Sequence, residues 1–271
     1  MYMPPSTPRA IGGVLDDTLR LYRSSFAAWI APSLILAVIR FAIGLYLNSK
    51  MNLIVAGGAQ SSTAIWASWV STMQGPGVWE GYLVLMFLDV WLYTALIANI
   101  FAVASGRLAK PFDGFGIGIR LLPAALLGSL LFGMAMIGGM ILLIIPGLYV
   151  IGRMIYWTVA LVDERAGATS AIGTSWRLVH GHWWRATTIL GVLFIIMMAV
   201  GFLVAIIAGI TVAVARPDLA TIQLLTQAIS GILNVFFIAL VPAALVATYQ
   251  DLKLRAGGGD LAARISNLPT T

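Results

Sequence analysis

Ala186–Val214 reads ATTILGVLFIIMMAVGFLVAIIAGITVAV, an apolar run without one charged residue. A helix rises about 1.5 Å per residue and a bilayer's hydrocarbon core is about 30 Å thick, so about 20 such residues cross it. This stretch is longer than that and has room to tilt or to run past the bilayer. The rest of the chain is similar: 60% of the 271 residues are hydrophobic, 10% are charged, and mean hydropathy is +0.96. An ordinary soluble domain is about 45 to 50% apolar. The sequence therefore predicts an all-α, polytopic membrane bundle.

Working outward from that run, six spans are expected at about 27–48, 79–104, 121–145, 147–162, 186–214 and 222–248, arranged as three hairpins. The fourth is the shortest, and Ile145-Pro146-Gly147 reads as a helix-stopping turn between it and the third. Residues 1–26 form an N-terminal segment, 27–252 the membrane domain, and 253–271 a polar tail containing Gly257-Gly258-Gly259.

Charge orients the chain. With the N-terminus inside, the inner segments hold Arg9, Arg20, Arg23, Arg107, Lys110, Arg120, Arg165, Arg177, Arg185, Lys253, Arg255 and Arg264, against Lys50 and Arg216 outside. This asymmetry is the positive-inside pattern. It predicts that both termini are cytoplasmic, and explains the net charge of +6 without nucleic acid. The first 26 residues carry Arg9, Asp16, Asp17, Arg20 and Arg23 around no central apolar run, so a cleaved signal peptide is not expected.

Directly before the quoted run lies Ser175–Arg185, SWRLVHGHWWR, with both histidines of the chain. His180 and His182 are two apart and would point to different helix faces; zinc needs three or four ligands, and the chain has no cysteine. No metal site and no cofactor are expected. The stretch reads instead as an interfacial helix over about 166–183, with indoles at headgroup depth and arginines on lipid phosphate. A second such helix precedes the first span: Thr7 as N-cap, Pro8 at the first helical position, and Ile11, Val14, Leu15, Thr18, Leu19, Tyr22 and Phe26 on one apolar face. Asp16, Asp17, Arg20 and Arg23 fall off that face.

Shifted by 157 residues, the stripe reappears as Ala168, Ala171, Ile172, Ser175, Trp176, Val179 and Trp183, with Arg20-Leu21 aligned to Arg177-Leu178. This is read as an internal repeat of interfacial helix plus hairpin, with a fainter third copy at Phe115–Leu122. Both clear copies start from the same side, unlike the inverted repeats of many transporters. Arg20, Arg23, Arg177, Trp183, Trp184 and Arg185 are the candidate headgroup contacts, with anionic lipid of the cytoplasmic leaflet as the expected partner. In the long loop 48–78, Ile65, Trp66, Trp69, Val70 and Met73 form a stripe for a helix on the outer interface.

Charges inside a bilayer cost about 2.5 to 3.5 kcal/mol each on insertion scales, so those present need a reason. Arg40 and Asp89 fall at matching depths of the first two spans and are expected to pair in the bundle interior. Arg153, in the fourth span, is expected toward the outer side within reach of Glu80. Asn99 and Asn234 are further buried polar groups that need partners. Gly201, Ala205 and Gly209 space small residues by four, for close helix packing within the chain or against another copy or protein partner.

No nucleophile elbow, phosphate-cradling Gly-rich loop or His-Glu-x-x-His occurs, so no enzyme is expected. Gly114-Phe-Gly-Ile-Gly118 has no preceding strand and reads as flexible backbone at the membrane surface.

Ile11–Phe26, IGGVLDDTLRLYRSSF, and Ile145–Ala186, IPGLYVIGRMIYWTVALVDERAGATSAIGTSWRLVHGHWWRA, resemble the membrane domain found in some bacterial glycerophosphoryl diester phosphodiesterases and in related stand-alone inner-membrane proteins. The shared order is an Ile-Pro-Gly hairpin, an arginine in the next span, an acidic residue at its end and a Ser-Trp-Arg-Leu…Gly-x-Trp-Trp stretch, here Ile145-Pro146-Gly147, Arg153, Glu164 and Ser175–Trp184. The resemblance implies the membrane part alone, without the catalytic barrel of the fused enzymes. The expected role is a lipid-contacting scaffold or accessory subunit in envelope lipid or membrane homeostasis. The alternative is a small-solute or lipid transporter or channel with a polar path lined by Arg40, Asp89, Arg153 and Asn234.

Overall fold

A computed structural model describes residues 2–56, 63, 66–67, 70–71, 74, 78–142, 144–215 and 219–266. The described residues form helices and short connections, with no strand among them. The helices are α1 (Ile11–Ser24), α2 (Phe26–Ala56), α3 (Val78–Ala104), α4 (Asp113–Leu142), α5 (Ile144–Met154), α6 (Trp157–Glu164), α7 (Ala168–Leu178), α8 (Trp183–Ala215) and α9 (Leu219–Ser266). Four described helices hold a stretch long and apolar enough to cross a membrane: Trp79–Ala104, Asp113–Ile141, Trp183–Val212 and Leu224–Gly257. A fifth arises if α1 and the first part of α2, bent by 79° at Ser25, count together.

That bend is held by side chains. Helix ends leave carbonyls without intrahelical donors. Here Ser25 Oγ donates to the Leu21 carbonyl at 2.6 Å, Ser24 Oγ to the same carbonyl at 3.1 Å, and Trp29 Nε1 to the Tyr22 carbonyl at 2.9 Å. Trp29 is fully buried and stacks on Tyr22 with ring centroids 4.8 Å apart. The end of α3 is closed differently: Gly106, at φ +76°, lets Arg107 N–H reach the Ala102 carbonyl and Gly106 N–H the Val103 carbonyl. This is a Schellman stop, which glycine adopts without steric penalty.

Several expected boundaries are corrected. Thr7 and Pro8 do not start α1. The helix begins at Ile11 because the Arg9 peptide is engaged elsewhere: its N–H donates to Asp251 Oδ1 at 2.9 Å, and its carbonyl accepts from Arg255 at 2.7 Å and from Arg185. The buried face of α1 is Val14, Asp17, Thr18 and Leu21, while Leu19 and Phe26 are exposed. Asp17 turns inward because the helix packs on α9 and Arg9 Nε meets its carboxylate at 3.2 Å.

Pro146 and Gly147 lie within α5 rather than in a turn, and the expected fourth span is broken at Ile155-Tyr156 into α5 and α6. The α4–α5 hairpin closes because glycine faces glycine: a Cβ on Gly139 would lie 2.9 Å from Gly147 Cα. The expected interfacial helix 166–183 is α7 alone, ended by a turn at 179–182 with Gly181 at φ +79°. Phe115–Leu122 is no separate element but part of α4, and the polar tail continues α9 to Ser266. The three glycines do not stop that helix; Arg255 and Asp251, one turn apart, bridge across it at 3.0 Å.

Gly114 and Gly118 are not flexible surface backbone. A Cβ on Gly118 would stand 2.9 Å from the Trp91 carbonyl oxygen, and one on Gly114 would overlap the Ala95 carbonyl and Asn99. The first turns of α4 thus lie directly on α3, the closeness that small residues four apart permit. Gly201 and Gly209, by contrast, have open space around them. Of the outer-loop stripe, Trp66 and Val70 are exposed and the other three residues lie outside the described residues, as does Arg216.

The ends of the elements define one end of the bundle. Asn99 of α3 donates to the carbonyls of Ala28 in α2 and Pro111 before α4, both at 2.9 Å. Gln250 of α9 reaches the Ala104 carbonyl at 3.0 Å, and Lys253 reaches Asp163 of α6 at 2.6 Å. Arg185, in the first turn of α8, meets Asp251 of α9. Between these ends, Trp29, Leu36, Leu92, Leu96, Ile97, Tyr156, Leu161, Ile189 and Tyr249 fill the core.

Candidate functional site

Three polar centres stand out in this apolar bundle. In the first, Arg40 of α2 and Asp89 of α3 pair at 2.6 Å through Nη2, with Nε at 3.0 Å from the same oxygen, Oδ1. The pair does not lie in the bundle interior. Each side chain is 42% exposed, although α2, α3 and α9 all pack on one another. Cavities flank it on both sides. The one on Arg40's side has a volume of about 230 Å³ and is lined by Thr226, Ser230 and Asn234 of α9. The one on Asp89's side is about 270 Å³, with Tyr93, Thr94, Ser129 and Thr158 among its walls. Asn234 Oδ1 is buried without a hydrogen-bond partner.

In the second centre, Arg153 does not meet Glu80. Glu80 is exposed at the start of α3, whereas Arg153, at the end of α5, is buried against α7 and the following turn. Its Nη2 lies 2.7 Å from His180 Nδ1, and its guanidinium sits 4.4 Å from the Trp176 ring and 5.3 Å from that of Tyr149. Because a guanidinium only donates, Nδ1 is the acceptor in this contact. Ser175 Oγ closes the backbone side by donating to the Arg153 carbonyl at 2.8 Å. Glu164 accepts from Thr174 at 3.1 Å.

The third centre was not anticipated from the sequence. Asp251, 2% exposed, accepts from Arg9 N–H, Arg185 Nε and Arg255 Nε at 2.9, 2.9 and 3.0 Å. One carboxylate thus ties the N-terminal segment, α8 and α9 together, and Arg9 extends the network to Asp17. Arg185, a candidate headgroup contact, turns its Nε to Asp251 and its Nη2 to the Arg9 carbonyl, and the side chain is only 18% exposed. Nearby, the Tyr2 hydroxyl is pushed up to about 12, first by burial and then by the charge of Asp17.

The other candidates divide. Arg20, Arg23 and Arg177 are exposed, Arg177 resting on Thr174 at 3.1 Å, and Trp184 is 78% exposed. Trp183 is half-buried, with Nε1 donating to the Tyr149 carbonyl at 3.2 Å, so it fastens α8 to α5. Asn99 Nδ2 has its two carbonyl partners, while its Oδ1 is buried without one. Gly201, Ala205 and Gly209 belong to α8, where only 11% of the apolar window is buried. No group of three or more His, Asp or Glu residues that could hold a metal ion occurs among the described residues.

The signal for Asp251 was present only in part. Its spacing to Arg255 is legible, but Arg9 is 242 residues away and Arg185 is 66 away.

Residues 78–252 match the family model described as Domain of unknown function (DUF7847). That match takes in well over half of the chain, from α3 into α9, and the chain belongs to this family. No curated protein and no solved structure matches it.

Proposed function

We propose that this family member is a non-catalytic, lipid-contacting scaffold or accessory subunit of the bacterial inner membrane, crossing it six times with both termini in the cytoplasm. The observation that carries the reading is charge closure beside a bare apolar surface. Arg40–Asp89, Arg9–Asp17, Arg185 and Arg255 with Asp251, and Lys253–Asp163 are all ion pairs within the chain. Meanwhile the apolar windows of α8 and α4 are only 11% and 17% buried. Such helices need lipid or another protein chain around them.

The six-span count treats α5 and α6 as one broken crossing. In its favour, α5 starts beside the end of α4, and Asp163 in the last turn of α6 lies beside Lys253. The repeat reading gains support from element boundaries: α1 and α7 start 157 residues apart, at Ile11 and Ala168, and so do α2 and α8, at Phe26 and Trp183. Val14 and Ala171, Thr18 and Ser175, and Trp29 and Ala186 are aligned pairs in which both members are buried. The likeness of Ile145–Ala186 to the membrane domain of glycerophosphoryl diester phosphodiesterases is carried as part of the proposal.

Arg20, Arg23 and Arg177 remain the headgroup contacts of this reading, worth about 1 kcal/mol each near an anionic surface. Mass spectrometry of lipids copurified with the full chain tests it. The expected result is retained anionic lipid that falls several-fold in the Arg20→Ala, Arg23→Ala, Arg177→Ala variant; no retained lipid, or retention unchanged by the triple substitution, counts against it.

A further inference from the structure

We infer that the cavity between the N-terminal segment and the last turns of α9 binds a phosphate ester with a hydroxyl beside its phosphate, the chemistry of a phosphatidylglycerol headgroup. The site is separate from the exposed arginines of the scaffold reading.

The N-terminal segment is held at both ends. Tyr2 is buried, and the Arg9 backbone is fastened to Asp251 and Arg255. Between these anchors Pro4, Pro5 and Pro8 form one wall of a cavity of about 830 Å³, and α9 forms another with Gln250, Lys253, Leu254 and Gly257. Those four positions are three and four apart, so they make one stripe along the helix. The cavity lies at the end of the bundle. His182, also on its wall, directly precedes Trp183 and Trp184 of α8, and Arg185–Asp251 and Lys253–Asp163 sit at the same end. Indoles beside charged residues mark headgroup depth, so a phosphate reaches this level of a bilayer.

The charge at this end favours an anion. Its ion pairs set four cations, Arg9, Arg185, Lys253 and Arg255, against three carboxylates, Asp17, Asp163 and Asp251. Among the described residues that line the cavity there is no carboxylate, while Lys253 and Arg255 both line it. Each keeps donors to spare. Lys253 Nζ gives one of its three protons to Asp163, and its side chain is 61% exposed. Arg255 spends Nε on Asp251 and one Nη2 proton on the Arg9 carbonyl, and its Nη1 has no bond among the described residues. Charge-assisted bonds from such groups are the usual way to hold a phosphate.

Gln250 decides what else the ligand carries. Its Nε2 donates to the Ala104 carbonyl at 3.0 Å, which leaves Oε1 as an acceptor, buried and without a partner. A bare phosphate would set oxygen against oxygen there. A hydroxyl donates to it, and an ammonium is repelled by the neighbouring cations. Gln250 and Lys253 are three residues apart, about 4.5 Å along the axis at roughly 1.5 Å per residue. That is the reach from a phosphate to a hydroxyl two or three carbons away in the same molecule.

The test offers the full chain in detergent equal amounts of phosphatidylglycerol and phosphatidylmethanol with the same acyl chains, and counts bound lipid by native mass spectrometry. The two lipids carry one negative charge each and differ in the hydroxyls. The expected result is about a fivefold preference for phosphatidylglycerol, the size of one net hydrogen bond. Gln250→Leu removes the acceptor and brings the ratio to about one. Gly257→Leu does the same by filling the cavity: a Cβ at Gly257 meets nothing within 4 Å, and leucine is the better helix former. It keeps the test decisive if Gln250→Leu does not fold. Ribose 5-phosphate, a soluble phosphate ester with hydroxyls, separates the two sources of this chemistry. Displacement of phosphatidylglycerol by it shows that a solute is a sufficient ligand; a preference that persists in its presence assigns the site to the lipid. The inference is overturned if the unmodified chain shows no preference, or if the preference survives both Gln250→Leu and Gly257→Leu. The ratio is expected to be unchanged in the Arg20→Ala, Arg23→Ala, Arg177→Ala variant, so failure here is separable from failure of the scaffold reading.

Discussion

Replacing Asp251 by Asn keeps the size of the side chain and removes the charge that three elements share. The carboxylate receives Arg9 N–H on Oδ1 and both Arg185 and Arg255 on Oδ2. An amide retains one acceptor oxygen and turns the other position into a donor aimed either at Arg9 N–H or at two guanidinium groups. At least one bond is lost on either orientation, and two like charges are left facing each other. Breaking a buried ion pair costs about 3 to 5 kcal/mol. Arg185 and Arg255 are 18% and 25% exposed, so water relieves part of this, and the lower bound of about 3 kcal/mol applies. At roughly 2 to 4 °C per kcal/mol for a chain of this size, the midpoint of thermal unfolding in detergent falls by about 6 to 12 °C. Fluorescence-detected size exclusion after a heating series reads it. Arg185→Gln is expected to cost a similar amount, and the double substitution clearly less than the sum, because both remove one shared interaction. A shift within about 1 °C for Asp251→Asn, or full additivity, refutes the reasoning.

The α3–α4 seam gives a second expectation: Gly118→Leu, whose side chain has no room beside the Trp91 carbonyl, destabilises by at least the 1 to 3 kcal/mol typical of overpacking, while Gly201→Leu on the open face of α8 changes the same melting midpoint little. Arg153→Lys keeps the charge but loses the planar group over Trp176 and the fixed donor to His180; a loss of about 1 to 2 kcal/mol is expected by the same assay, and an unchanged midpoint contradicts the stacking argument. At the Arg40–Asp89 pair, Arg40→Leu and Asp89→Leu singly leave an uncompensated charge and lower membrane yield and melting midpoint, whereas the double variant recovers most of both; a double variant as impaired as the singles removes the pairing account.

The membrane-length helices were legible because an apolar run without charges has few other readings, and Ala186–Val214 lies wholly within α8. Arg40 and Asp89 were matched in the sequence by depth along two neighbouring helices, a quantity set by the fixed rise per residue. Depth does not give the direction in which a pair faces, and so its exposure was invisible. Arg153 was matched to Glu80 by the same argument and went to His180 instead, because the break at Ile155-Tyr156 makes the expected straight span two shorter helices. Small-residue spacing found Gly201, Ala205 and Gly209 and passed over Gly114 and Gly118 as loop, since spacing reports which residues permit close approach and not where a neighbour lies. The start of α1 was misplaced for a related reason: Thr7-Pro8 is a local helix signal, overridden by bonds from Arg9 to residues far along the chain.

The central claim, a six-span bundle with both termini inside, can be read from single cysteines, because the chain has none of its own. Cysteines placed one at a time at Ser6, Thr63, Arg107 and Gly167 are treated with a membrane-impermeant maleimide in intact spheroplasts and again after lysis. The account predicts labelling of position 63 in intact cells, and of positions 6, 107 and 167 only after lysis. Labelling of position 167 from outside, with 107 protected, contradicts it, since α5 and α6 then return to the side they came from instead of crossing.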